Sequence, residues 1–116
     1  MKYKGSCHCG RIAFEAEGDL EQVMACNCSI CSKLGALRWI VPPQNFRLLT
    51  PEEHIATYTF NRHNIKHRFC PACGCMPFGE GLAPTSGNYV VGINARCLDD
   101  VDLSSLKVTP FDGRSL

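Results

Sequence analysis

The chain has 116 residues, 45% of them apolar, which suits one domain burying roughly 65% of its unfolded surface. Twelve basic and eleven acidic residues leave a formal charge of +1. That balance excludes a broad field able to recruit nucleic acid or an anionic membrane. The one departure from ordinary composition is nine cysteines.

The opening MKYKGSCHCG has two lysines but no apolar run behind them, so a secretory signal is not expected. No stretch approaches the ~18 apolar residues of a membrane helix. The expected location is cytoplasmic, where thiols stay reduced. From Arg11 to Gly18, RIAFEAEG alternates, with Ile12, Phe14 and Ala16 on one face, and predicts a strand. Val23 to Cys26 reads as a short strand. SKLG predicts a helical turn ending at Gly35, and Ala36 to Val41 a strand halted by Pro42 and Pro43. Thr50, Pro51 and Glu53 carry the pattern of an N-cap, a first-turn proline and a capping-box glutamate. Strands are predicted again over Ala56–Phe60, Ile65–Phe69 and Asn88–Asn94, with GEGLAPTSGN a loop by composition. The pattern is that of a mainly β, mainly antiparallel domain with short helical turns.

One local basic run, RHNIKHR from Arg62 to Arg68, is read as a solvated strand or loop rather than a binding patch. His63 and His67 are four apart in a strand or loop, where an i, i+4 pair shares no helical face, and both are read as surface residues.

Eight of the cysteines fall into three groups: Cys7 and Cys9; Cys26, Cys28 and Cys31; Cys70, Cys73 and Cys75. Cys97 stands alone, read as buried and inert. In a reduced compartment this density points to metal rather than disulfides. On a strand, residues i and i+2 share a face, so C-x-C presents two sulfurs on one side, with His8 turned away. FCPACG has the zinc-knuckle pattern, in which Gly74 takes the tight backbone conformation. Two partitions are open. One closes Cys7, Cys9, Cys70 and Cys73 around a zinc and leaves Cys26, Cys28 and Cys31 with a vacant fourth position. The other closes Cys7, Cys9, Cys26 and Cys28, and separately Cys31, Cys70, Cys73 and Cys75. The difference carries function, because structural zinc is coordinatively full and catalytic zinc is not.

GSCHCG, CNCSICSK with its following glycine, and FCPACGCMPF resemble, in order and spacing, the glutathione-dependent formaldehyde-activating enzyme family, whose domain is shared with centromere protein V. The resemblance spans nearly the whole chain, 1–116, as one domain. It implies a β-tent fold of antiparallel sheets with two zinc ions. Carried over, Cys7, Cys9, Cys70 and Cys73 hold a structural zinc, and Cys26, Cys28 and Cys31 a catalytic one. Cys75 stands where the family commonly has a small residue such as serine, and is read as a small core residue.

The implied activity is that of a carbon–sulfur lyase joining or parting a thiol, glutathione or similar, and an aldehyde such as formaldehyde. Three thiolates on Zn²⁺ leave the site at −1, so the flanking Lys33 and Arg38 are candidates to offset it. An exposed lysine and a strand-surface arginine are the plainer readings of these two. Trp39 is a candidate wall of a substrate cleft, with a core strand residue as its plainer reading. The alternatives are a zinc-stabilised binding module without catalysis, and a thiol or metal redox sensor whose zinc leaves on oxidation. The binding module would need a basic or low-complexity extension to reach nucleic acid, and the chain has neither.

Overall fold

The computed structural model describes residues 1–60 and 64–115. Arg62 and His63 of the basic run therefore lie outside the described residues. The architecture is mainly β, as expected. The strands are β1 (Lys2–Ser6), β2 (Ala13–Glu17), β3 (Gln22–Cys26), β4 (Arg38–Val41) and β5 (Phe46–Leu48). They continue with β6 (Ala56–Tyr58), β7 (Ile65–Phe69), β8 (Phe78–Leu82), β9 (Tyr89–Asn94) and β10 (Lys107–Phe111). A short helix, α1 (Ser29–Leu34), and short 3-10 turns join them. Among the described residues no helix is long and apolar enough to cross a membrane.

Two sheets form. β1-β2-β5 is a small antiparallel sheet, and β10-β3-β4-β9-β8-β7-β6 a larger one. Every pairing is antiparallel except β10 on β3, where Phe111 lies beside Cys26. The apolar faces of the two sheets close on each other. Phe14 of β2 stacks on Phe46 of β5 at 5.3 Å, and Phe46 meets Phe78 of β8 at 4.8 Å. Ile93 and Val91 of β9 and Trp39 and Val41 of β4 complete this core. Trp39 meets Tyr3 edge-to-face at 5.4 Å, a geometry favoured by the ring quadrupoles.

Because side chains alternate along a strand, the residues between these core positions face the other side of the large sheet. Register aligns Ile40, Gly92, Gly79, His67 and Tyr58 in one row across β4, β9, β8, β7 and β6.

Three local expectations need correction. GEGL is strand rather than loop. Gly81 belongs there because a Cβ would come within 2.1 Å of the Asn64 carbonyl oxygen. Thr50 caps no helix. Its hydroxyl accepts from the Ala13 N–H at 2.8 Å and donates to the Arg11 carbonyl at 2.9 Å, tying β2 to the turn at Glu52–His54. Glu53 consequently has no capping box to close, and the neighbouring Glu52 pairs with Arg68. The basic run is not solvated at its described end either. His67 and Arg68 are buried, Arg68 lying between Glu52 and Glu80.

Candidate metal centres

Two tight turns build the first cluster. Cys7 and Cys9 follow the end of β1 in a turn rather than on a strand, which corrects the shared-face argument. Gly10 closes that turn at φ +84°, its N–H donating to the Cys7 carbonyl at 3.1 Å. His8 sits exposed at the tip. The second turn follows β7. The Gly74 N–H donates to the Cys70 carbonyl at 2.8 Å with φ +78°. A Cβ at Gly74 would touch nothing, so its left-handed backbone, and not space, requires glycine.

The sulfurs of Cys7, Cys9, Cys70 and Cys73 all lie within 4.8 Å of one another. Cys7 to Cys9 is 3.7 Å and Cys9 to Cys70 is 3.5 Å. A tetrahedron with Zn–S of ~2.3 Å has edges of about 3.8 Å, which these two separations match. Backbone N–H groups point at the sulfurs, Ile12 to Cys7 at 3.3 Å and Cys73 to Cys70 at 3.4 Å. The N–H groups of Cys75 and Cys9 draw the Cys73 thiol down to about 6. Such donors favour thiolate, the form that binds metal.

The second cluster is Cys26 at the end of β3, Cys28 before α1 and Cys31 within it, again within 4.8 Å. The Cys28 N–H donates to the Cys26 sulfur at 3.4 Å. Burial raises the Cys28 thiol, but the N–H groups of Cys31 and Ile30 carry it below its ordinary value. Burial pushes Cys31 up to about 12, with Arg38 acting against it. These are the demands of a group that is comfortable in the interior only once a cation shares its charge. The helix ends at Gly35, at φ +65°, as expected.

The structure thus gathers the cysteines as the first partition has them. Cys75 joins neither group, its sulfur lying 3.6 Å from that of Cys97. Burial raises the Cys97 thiol to about 12. Lys33 is exposed in the last turn of α1. Trp39 belongs to the core between the sheets, facing away from Arg38. Arg38 is not a surface residue. It is 7% exposed, and its guanidinium donates to the Gly92 carbonyl at 3.2 Å.

One residue read from the sequence as exposed is buried, and one beside the second cluster escaped sequence reasoning. His67 is buried against Phe60, 5.5 Å between ring centroids, and its Nδ1 has no partner. Gly113 lies against the second cluster, where a Cβ would come within 2.5 Å of the Cys26 sulfur. Asn27 holds the Gly113 segment there, donating to Asp112 and accepting from the Arg114 N–H, both at 2.9 Å.

A solved structure of a Rhodobacter sphaeroides protein, a structural genomics target, shares this fold with a TM-score of 0.77. It is 26% identical, and the match covers 91% of this chain and 99% of that one. Residues 2–111 match the family described as glutathione-dependent formaldehyde-activating enzyme. With both cysteine groups in place and nearly the whole chain aligned, the protein belongs to that family.

Proposed function

We propose that this protein is a zinc-dependent carbon–sulfur lyase. In this reading Cys26, Cys28 and Cys31 hold the catalytic zinc, while Cys7, Cys9, Cys70 and Cys73 hold a structural one. The observation that carries it is the inequality of the clusters. Among the described residues one gathers four thiols and the other three, and an open position is what distinguishes a catalytic zinc from a structural one. Zinc bound there would lower the pKa of an incoming thiol and polarise an aldehyde oxygen.

The chain's own residues set the conditions. Three thiolates around a dication leave one negative charge, and the cationic Arg38, buried and acting on Cys31, offsets it. A low local dielectric makes that compensation stronger than a surface lysine could provide. The exposed Lys33 adds little by comparison. The thiol, glutathione or a similar molecule, gives its sulfur electron pair to the aldehyde carbon, formaldehyde being the simplest case. The carbonyl π pair passes to oxygen, which takes up the proton the thiol has lost. The product is an S-hydroxymethyl adduct, and the reverse reaction parts it.

Exchange NMR on an equilibrium mixture of ¹³C-formaldehyde, glutathione and their adduct tests this. The zinc-loaded protein should speed the exchange, and Cys28→Ser should return it to background. Exchange at the background rate with two zinc ions bound would sink the proposal for this substrate pair.

A further inference from the structure

Of the nine thiols, four belong to one metal cluster and three to the other. The two left over, Cys75 and Cys97, do not scatter. They are 22 residues apart in the chain, yet their sulfurs lie 3.6 Å from each other. Both are half-buried and so within reach of a small molecule, whereas Cys7, Cys31 and Cys70 are buried. A disulfide has an S–S bond of ~2.05 Å, so these sulfurs need close by only about 1.5 Å.

Each of the two is fixed to one half of the four-sulfur cluster. Cys75 belongs to the turn that presents Cys70 and Cys73. Its N–H faces the Cys73 sulfur, and its carbonyl accepts from the Cys70 N–H at 2.9 Å. Cys97 closes the 3-10 turn Ala95–Cys97, which lies against β1, the strand that leads into Cys7 and Cys9. Gly5 of β1 pairs with Leu98, and the Asp99 N–H donates to the Lys4 carbonyl at 2.8 Å. A Cβ on Gly5 would stand 2.7 Å from the Cys97 carbonyl oxygen, so strand and turn are in direct contact. Within the cluster the two halves meet sulfur to sulfur, Cys9 and Cys70 at 3.5 Å. A bond between Cys75 and Cys97 would join the same two halves a second time.

We propose that Cys75 and Cys97 are a disulfide-forming pair, oxidised by exchange with a small disulfide, whose bond braces the two halves of the four-sulfur metal centre. One protein thiolate attacks the small disulfide, expels one half of it as a thiol and keeps the other half as a mixed disulfide. The second protein thiolate then attacks the protein sulfur of that bond and expels the remaining half. The protein gives up two electrons and two protons, and the small disulfide becomes two thiols. With zinc bound, the cluster sulfurs share their electron pairs with the metal, and the free pair reacts first. The proposal is independent of the lyase reading, because neither thiol belongs to the three-cysteine cluster.

Zinc-loaded wild-type protein incubated with oxidised glutathione provides the test, read by intact mass, peptide mapping and chelator-driven zinc release. The mass should fall by two hydrogens, the map should join Cys75 to Cys97, and both zinc ions should stay. Release of the ion at the four-sulfur cluster should slow by at least about tenfold, part of what closing a loop of ~20 residues can supply. The ion at the three-cysteine cluster should leave at its former rate, and dithiothreitol should reverse the change. In Cys75→Ser and Cys97→Ser the reaction should stop at one glutathione adduct on the remaining cysteine, with zinc release as in the reduced protein. Unmodified protein, or a wild-type adduct that never resolves into the Cys75–Cys97 bond, overturns the pair. Zinc expelled as cluster cysteines enter disulfides overturns it too. The Cys75–Cys97 bond with zinc release unchanged or faster at the four-sulfur cluster overturns the brace.

Discussion

Gly113→Ala tests how closely the C-terminal segment is built around the three-cysteine cluster. The new Cβ would stand 2.5 Å from the Cys26 sulfur, 3.3 Å from the Cys28 Cβ and 3.6 Å from the Phe111 ring. Non-bonded carbon contacts settle at about 3.5–4 Å, so something must give by about 1 Å. Neither side yields freely. Cys26 ends a strand paired to β10, and Asn27 holds the segment through Asp112 and Arg114.

Forced overpacking of this kind costs about 1–3 kcal/mol. If the metal position takes the strain, zinc at that cluster weakens by about 5- to 150-fold, at 1.4 kcal/mol per factor of ten. The four-sulfur cluster draws nothing from this segment and should keep its ion. A chelator titration that resolves the two ions would show one released early and one at the wild-type chelator concentration. Two ions held with wild-type affinity, in a protein of unchanged stability, would refute the reasoning.

Three further outcomes follow from the same geometry. Cys70→Ser should leave the chain largely unfolded, since a structural zinc contributes about 10–16 kcal/mol of apparent binding energy to folding; Cys31→Ser should instead keep the native circular dichroism while losing one zinc. Cys75→Ser and Cys97→Ser should each retain two zinc ions by mass spectrometry, because the 3.6 Å pair they form lies outside both clusters. His67 should make the fold acid-sensitive. Burial, then Arg38, lower it to about 4, whereas an unfolded histidine titrates at about 6.5. Its contribution is complete above pH 6.5 and is lost as pH falls toward 4, when the unfolded chain gains a proton the folded one refuses. The loss reaches about 2 kcal/mol by pH 5 and about 3 kcal/mol at most. Urea unfolding of wild type and His67→Asn should therefore converge between pH 7 and pH 5. Parallel pH profiles would count against a buried neutral His67.

Much of this protein was legible in the order of its residues. The alternation in Ile12, Phe14 and Ala16 marks β2, because a strand with one wet face needs period two. The C-x-x-C-G spacing at Cys70 marks its turn, because a chain folding back over a metal needs a glycine to close, as at Gly74, whereas the C-x-C of Cys7 and Cys9 reads as strand and is a turn. Cysteine grouping likewise narrowed the ligand sets to two partitions, both local in their logic.

What the sequence could not decide depends on residues far apart in the chain. Which thiols share a site is set by where the sheets bring β1, β3 and β7, so Cys75 turns to Cys97 although it stands two residues from Cys73. Thr50 has the local signature of a cap, but the unpaired Ala13 N–H across the turn outcompetes it. Composition makes GEGL a loop, yet Gly79 and Gly81 are strand residues whose missing side chains matter only because β7 and β9 lie alongside. Arg38 and His67 look like surface residues on their own strands, yet both are buried, Arg38 against Gly92 of the neighbouring strand and His67 against Phe60. Local pattern records what each segment requires of its own backbone. Burial, and therefore the charge and reactivity of a buried group, belongs to the whole sheet.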